Sequence, residues 1–199
     1  ELRALGQALL ALAQSHRRVG LKRSRCASAM GNRVFDTQSI GSLDVASATR
    51  LVEQFAQDTQ WDGHEDLLAC AWLDAVASPS TQLWIPPMGQ GEPRVEGVYE
   101  QLLEGEECVF LGSRPSTLPA AVNDSLSTCS IVLASALQYL GYVGRCSFDL
   151  LVTGDIEHEF GVVFSECNGR WGGTSTPMAL VDRLVPGPRP VYRAQDVVY

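Results

Sequence analysis

The sequence predicts an α+β domain built on antiparallel sheet, on three observations. Segments of helical periodicity and segments of strand-like alternation take turns along the chain, which fits neither an all-helical nor an all-strand fold. Several strand segments follow one another across turns of only a few residues, around Gly105 and between Gly154 and Glu159, and short turns of that kind join antiparallel neighbours. The chain has 199 residues, 45% of them hydrophobic and 19% charged, enough apolar material for a packed core.

The elements follow in order. Leu2, Leu5, Leu9 and Leu12 mark one face of a helix with no capping residue before it. That start, on Glu1 rather than a methionine, suggests a piece or processed product of something longer. Val19 to Arg23 reads as a strand carrying Lys22, followed by a loop of small residues from Cys26 to Asn32 and a short strand at Arg33 to Phe35. Ser42 or Asp44 can cap a helix whose apolar face is Ala48, Leu51, Val52 and Phe55. Leu67 to Leu73 is an apolar run, Ser78-Pro79-Ser80 a polar turn, and Thr81 to Ile85 a strand ended by Pro86 and Pro87. Val95 to Leu103 and Cys108 to Leu111 are further strands. The longest helix is expected from about Asn123 to Leu140, with Gly141 as its stop. Strands near Cys146–Val152 and Gly161–Asn168 follow, then a glycine-rich segment, a helix from Pro177 and an irregular tail with three prolines. There is no internal repeat and no low-complexity tract.

Charge narrows the partners. With 15 Lys+Arg against 23 Asp+Glu the net charge is -8, which argues against a nucleic-acid backbone as partner but not against a nucleotide held by a few well-placed cations. No uninterrupted apolar run reaches the ~18 residues that span a bilayer, and no basic segment precedes an apolar one at the start. The expectation is a cytoplasmic protein without a membrane partner. Six cysteines, none in a C-x-x-C pair, are too sparse for a disulfide scaffold and read as thiols packed in and around the core.

Chemistry concentrates in the last pair of strands. Glu166 and Asn168 are two apart and share a face of their strand. A hairpin pairing Val152 with Val163 puts Asp149 directly opposite Glu166. Like charges so placed destabilise a sheet, and an oxygen-rich patch of Asp, Glu and Asn amid apolar neighbours suits Mg²⁺. The alternative is an exposed strand face with two solvated carboxylates. Lys22 on its own is an ordinary surface charge. The small residues behind it, Ser24, Ala27, Ser28, Ala29 and Gly31, would let backbone N–H groups approach phosphates, although the spacing is not that of a P-loop.

Three blocks together resemble the nucleotide-binding region of the ATP-grasp ligases: Val19-Gly20-Leu21-Lys22 with Ser28 to Gly31; Gly141 to Gly144 with Phe148-Asp149; and Glu166-Cys167-Asn168-Gly169-Arg170 followed by Gly172-Gly173. The ending Gly172 to Met178 looks most similar to the pheganomycin-type peptide ligases. The resemblance implies an ATP-grasp fold over residues 1–199, with a small nucleotide-lid lobe at 16–75 and a larger metal-binding lobe and tail at 76–199. It implies ATP and Mg²⁺ as cofactors, with Lys22 on the nucleotide phosphates and Ser28, Ala29, Met30 and Gly31 closing over them. Trp72 and Leu73 would lie at the adenine, Asp149, Glu166 and Asn168 would hold metal, and Arg170 would act as the catalytic residue at the transferred phosphate or acyl phosphate. The implied activity is ATP-dependent carboxylate–amine ligation through an acyl phosphate, with amino acids or peptides as substrates. Two departures stand against the family pattern: Cys70 where many relatives have a hinge glutamate, leaving Asp74 as a substitute, and no leading α/β domain with its first phosphate-binding lysine. They support a rival expectation, a non-catalytic ATP-grasp-like binding module or inactive fragment.

Overall fold

A computed structural model describes residues 1–25, 31–105 and 108–195, so Ser28, Ala29 and Met30 of the expected phosphate loop lie outside the described residues. The chain divides into two compact units, Glu1–Leu73 with Glu104–Phe110, and Asp74–Leu103 with Leu111–Tyr199.

In the first unit, α1 (Leu2–Ala13) and α3 (Val45–Asp58) pack on a three-stranded antiparallel sheet of order β2-β1-β3. Its strands are β1 (Arg18–Arg23), β2 (Asn32–Asp36) and β3 (Leu67–Ala71). Asp44 caps α3, its carboxylate accepting from the Ser47 amide at 2.7 Å. Leu9, Val19, Leu21, Ile40, Val52 and Phe55 form the core. Val19 and Leu21 fill one face of β1, so alternation puts Gly20 and Lys22 on the other. A single-turn helix, α2 (Thr37–Ile40), is too short for periodicity to reveal.

The second unit is a six-stranded sheet of order β8-β7-β4-β5-β6-β9. Its strands are β4 (Pro79–Ile85), β5 (Arg94–Glu104), β6 (Val109–Pro115), β7 (Gly144–Asp155), β8 (Glu159–Asn168) and β9 (Ala194–Gln195). The long helix α4 (Ala120–Tyr139) brings Val122, Leu126 and Ala134 onto one sheet face, against Leu83, Ile85, Cys146, Phe148, Leu150 and Val152. With Asp124 its only charged residue, α4 is long and apolar enough to cross a membrane by length and composition, yet it contributes directly to this core. Helix α5 (Ser175–Leu184) follows the glycine-rich segment.

Three expectations change. Pro79 and Ser80 begin strand β4 rather than forming a turn; proline is tolerated as a first strand residue, where its missing N–H costs little. The tail is not wholly irregular, since Ala194 and Gln195 pair with Ser113 and Gly112. Arg189 holds it further, through both Asp182 carboxylate oxygens at 2.6 and 2.7 Å and the Glu96 carbonyl at 2.9 Å. The third concerns the hairpin register: Val152 pairs with Val162, not Val163.

Candidate metal and nucleotide site

That register decides where the carboxylates lie. From the turn inward, Val152 faces Val162 and Leu150 faces Phe164, with Phe164 packed edge-on to Phe148 at 5.8 Å between ring centroids. Continued unchanged, this pairing would put Glu166 opposite Phe148, on the face that covers the core. A β-bulge instead takes up Ser165, and Glu166 pairs with Asp149 while Asn168 pairs with Ser147. The expected opposition of Asp149 and Glu166 is therefore present, reached by a bulge rather than by a regular hairpin.

Asp149, Glu166, Asn168 and Arg170 come together on the sheet face opposite α4. Asn168 donates Nδ2–H to Asp149 Oδ2 at 3.0 Å, and its own Oδ1 accepts from Arg170 Nη2 at 3.2 Å. Asp149 also takes a hydrogen bond from the Ser80 hydroxyl, the residue beside it on β4. Burial pushes the Asp149 carboxyl up to about 6, with the Glu166 charge adding to it and the Ser80 and Asn168 hydrogen bonds and the Arg170 charge opposing it. Trp171, 53% exposed, lies against Arg145, whose guanidinium carbon is 4.7 Å from the ring centroid and which also pairs with Glu96.

The donor set fits a hard divalent cation. Two carboxylates face each other across adjacent strands with an amide oxygen one strand position pair away, and all three offer oxygen. Among the described residues no group of three His, Cys, Asp or Glu side chains is placed to hold a metal ion, so a cation here would draw on Asn168 and on oxygens from outside the chain, which is how Mg²⁺ is usually held. Arg170 and a cation would share the Asn168 amide oxygen.

The other expected residues belong to the first unit. Lys22 pairs with Asn32 on one side and Leu68 on the other, and the Gly31 carbonyl accepts from the Arg23 amide at 2.8 Å. The Cys70 thiol is pushed up by burial, partly offset by the Lys22 charge. Trp72 lies over Gly20: a Cβ on that glycine would meet the indole Cε3 at 2.8 Å. Leu73 closes this stretch of the unit. Two arginines of this unit are engaged structurally, Arg23 with Glu65 and the Thr59 carbonyl, and Arg33 with Asp58 at 2.8 Å. In the second unit, Arg114 pairs with Glu100 at 2.7 Å, and His158 lies in the exposed turn beside Asp155.

Sequence reading missed Ser80 and Gln82. They are buried on the site face of β4, where Gln82 Nε2 donates to Ser80 Oγ at 3.1 Å. Alternation along the strand from Thr81 to Ile85, with Thr81, Leu83 and Ile85 toward the core, is the signal that would have found Gln82.

The fold is that of the ATP-grasp enzymes. Biotin carboxylase from Campylobacter jejuni, solved as a β,γ-ATP complex, is similar at a TM-score of 0.69 and 19% identity, over 92% of this chain and 38% of that one. The biotin carboxylase domain of Hydrogenobacter thermophilus 2-oxoglutarate carboxylase, solved with MgADP, ADP and bicarbonate, gives 0.61 and 17% over 83% of this chain and 34% of that one. Carboxyaminoimidazole ribonucleotide synthase from Aspergillus clavatus, complexed with ATP, gives 0.57 and 11% over 85% and 38%. The chain thus spans little more than a third of the length of these structures. No family model matches the chain, and no curated protein matches it.

Proposed function

We propose that the chain is the nucleotide- and metal-binding part of an ATP-dependent ligase joining a carboxylate to an amine. One observation carries the reading: within an ATP-grasp fold, the Ser165 bulge brings Glu166 to face Asp149, beside Asn168 and Arg170. Similar folds have been solved with ATP, ADP and, in one case, MgADP.

In the proposed reaction a substrate carboxylate oxygen attacks the γ-phosphorus of ATP, the bond to the β–γ bridging oxygen breaks, and ADP leaves an acyl phosphate behind. The amine nitrogen then attacks the acyl carbon, the C–O bond to phosphate breaks, inorganic phosphate departs, and the nitrogen gives up a proton. Asp149, Glu166 and Asn168 would hold Mg²⁺, which neutralises charge on the phosphate oxygens. Arg170 bears on the transferred phosphoryl group, and Lys22 holds nucleotide phosphates as a point charge. The substrates are amino acids or peptides, as the likeness of residues 172–178 to peptide ligases implies.

Calorimetry of ATP binding with and without Mg²⁺, for the chain and for Glu166→Ala, tests the site. Mg²⁺-dependent binding lost in the variant supports it; Mg²⁺-independent binding of equal strength in both removes it. Trapping by hydroxylamine of an acyl phosphate formed from a carboxylate panel then tests the reaction. A second reading, a non-catalytic binding module, is favoured by Cys70 at the hinge and by the Trp72 indole lying over Gly20 on the Lys22 face of β1.

A further inference from the structure

The hydrogen bonds behind Asp149 have a direction that chemistry dictates. Ser80, Gln82 and Asp149 lie on one face of β4 and β7, with Ser80 beside Asp149 in the strand register. Ser80 is 3% exposed and Gln82 2%, so neither exchanges its partner freely with water. A serine hydroxyl has one proton to give. An ionised carboxylate can only accept, so that proton goes to Asp149, and the group of Gln82 that meets Ser80 Oγ at 3.1 Å must be the amide NH₂. Gln82 thereby occupies a lone pair on Ser80 and turns the hydroxyl proton away from itself, toward Asp149. From the other side, Asn168 Nδ2 reaches Asp149 Oδ2 at 3.0 Å. The carboxylate is thus gripped from both sides.

We propose that Ser80 and Gln82 are positioning residues for the cation site: Gln82 orients the Ser80 hydroxyl, which fixes the Asp149 carboxylate so that its remaining lone pairs face the cation it would share with Glu166. Nothing in the sequence motifs points to either residue, and their role parallels that of the outer partners that orient metal ligands elsewhere. The proposal rests on the reading of Asp149, Glu166 and Asn168 as metal ligands.

The test uses the full chain and Mn²⁺ alone, a spectroscopic stand-in for Mg²⁺, titrated by electron paramagnetic resonance. Removing an outer partner typically costs about 10–100-fold in metal affinity, so Ser80→Ala is expected to weaken Mn²⁺ binding at least about tenfold and to broaden the bound spectrum. Ser80→Thr keeps a hydroxyl and is expected to restore affinity to within about twofold of the parent, which a purely structural effect of the site would not produce. Thermal unfolding without metal is recorded alongside. Should Ser80→Ala not fold, Gln82→Met removes only the donor behind Ser80 and takes its place, with the same weakening expected. Unchanged affinity and spectrum in folded Ser80→Ala, together with loss of binding in Asp149→Ala, would leave the metal site standing and overturn the positioning role. Failure of the parent chain to bind Mn²⁺ at millimolar concentration would overturn both.

Discussion

Replacing Asp149 with asparagine should make the metal-free protein more stable at neutral pH while abolishing its response to Mg²⁺. The Asp149 carboxyl is pushed from 3.8 up to about 6, first by burial and then by the charge of Glu166. In the unfolded chain it titrates near its ordinary value. Below about pH 4 both states hold the proton and the shift costs nothing. Between about 4 and 6 the unfolded chain releases the proton while the folded one keeps it, so rising pH favours unfolding. Above about 6 the penalty is complete, and two pKa units correspond to about 3 kcal/mol. Asparagine carries no charge and keeps an acceptor for Ser80, but its amide meets the Asn168 NH₂, a loss of about 1 kcal/mol. The net expectation is a gain of about 2 kcal/mol at pH 8, turning into a loss of about 1 kcal/mol at pH 4.

Urea unfolding between pH 4 and 8 in the presence of EDTA measures this, with hydrogen exchange of the β7 and β8 amides assigning the transition to the second unit. Added Mg²⁺ should stabilise the parent above pH 6 and leave Asp149→Asn unmoved, since a ligand stabilises only the state that binds it. Parallel pH profiles for the two proteins would refute the electrostatic reasoning. Equal Mg²⁺ stabilisation of both would refute the assignment of Asp149 as a ligand.

Three other outcomes follow from the packing. Leu83 is fully buried against α4, so Leu83→Ala should cost about 3–4 kcal/mol, read as a lower urea midpoint for the second unit. Burial pushes the Cys146 thiol up to about 12, whereas Cys129 is exposed on α4; a disulfide reagent at pH 8 should modify Cys129 within minutes and Cys146 only on unfolding, as peptide mass spectrometry would show. In Gly20→Ala the new methyl meets Trp72 at 2.8 Å and must displace the indole, so the tryptophan emission should shift to longer wavelength, and an unchanged spectrum would count against that packing.

Legibility in the sequence tracked the kind of signal each feature leaves. The α3 cap, the core alternation of β1 and β7 and the glycine ending α4 are local, and periodicity or composition reports them directly. The carboxylate pair was legible because two residues of one strand and one of the next can be matched by counting from a turn. Counting assumed a regular hairpin, however, and the bulge at Ser165 leaves no composition mark; the pairing at Asp149 agreed while that at Val152 did not. Ser80 was hidden by its neighbour, because Ser78-Pro79-Ser80 carries turn chemistry and only the long-range pairing of β4 with β5 and β7 makes it a strand. The hold of Arg189 on the tail is equally nonlocal, reaching back to Glu96 across most of the second unit.

The cost of the carboxylate pair bears on which functional reading is right. One face of β7 is occupied by Cys146, Phe148, Leu150 and Val152, all at 3% exposure or less, so the backbone that carries Asp149 is held by the core and cannot relax away from Glu166. Asp149 accepts from Ser80 and from Asn168, and Arg170 stands behind the latter. These donors offset part of the cost of burying the carboxylate beside Glu166 without cancelling it, since the Asp149 carboxyl still sits above its ordinary range. A binding module with no use for a cation gains stability from any neutral residue at position 149. A ligase that places Mg²⁺ there recovers the cost on loading the ion and loses its site with the same substitution. Mg²⁺-dependent stabilisation of the parent chain, absent from Asp149→Asn, is therefore the result that separates an operating metal site from a fold retained for another purpose.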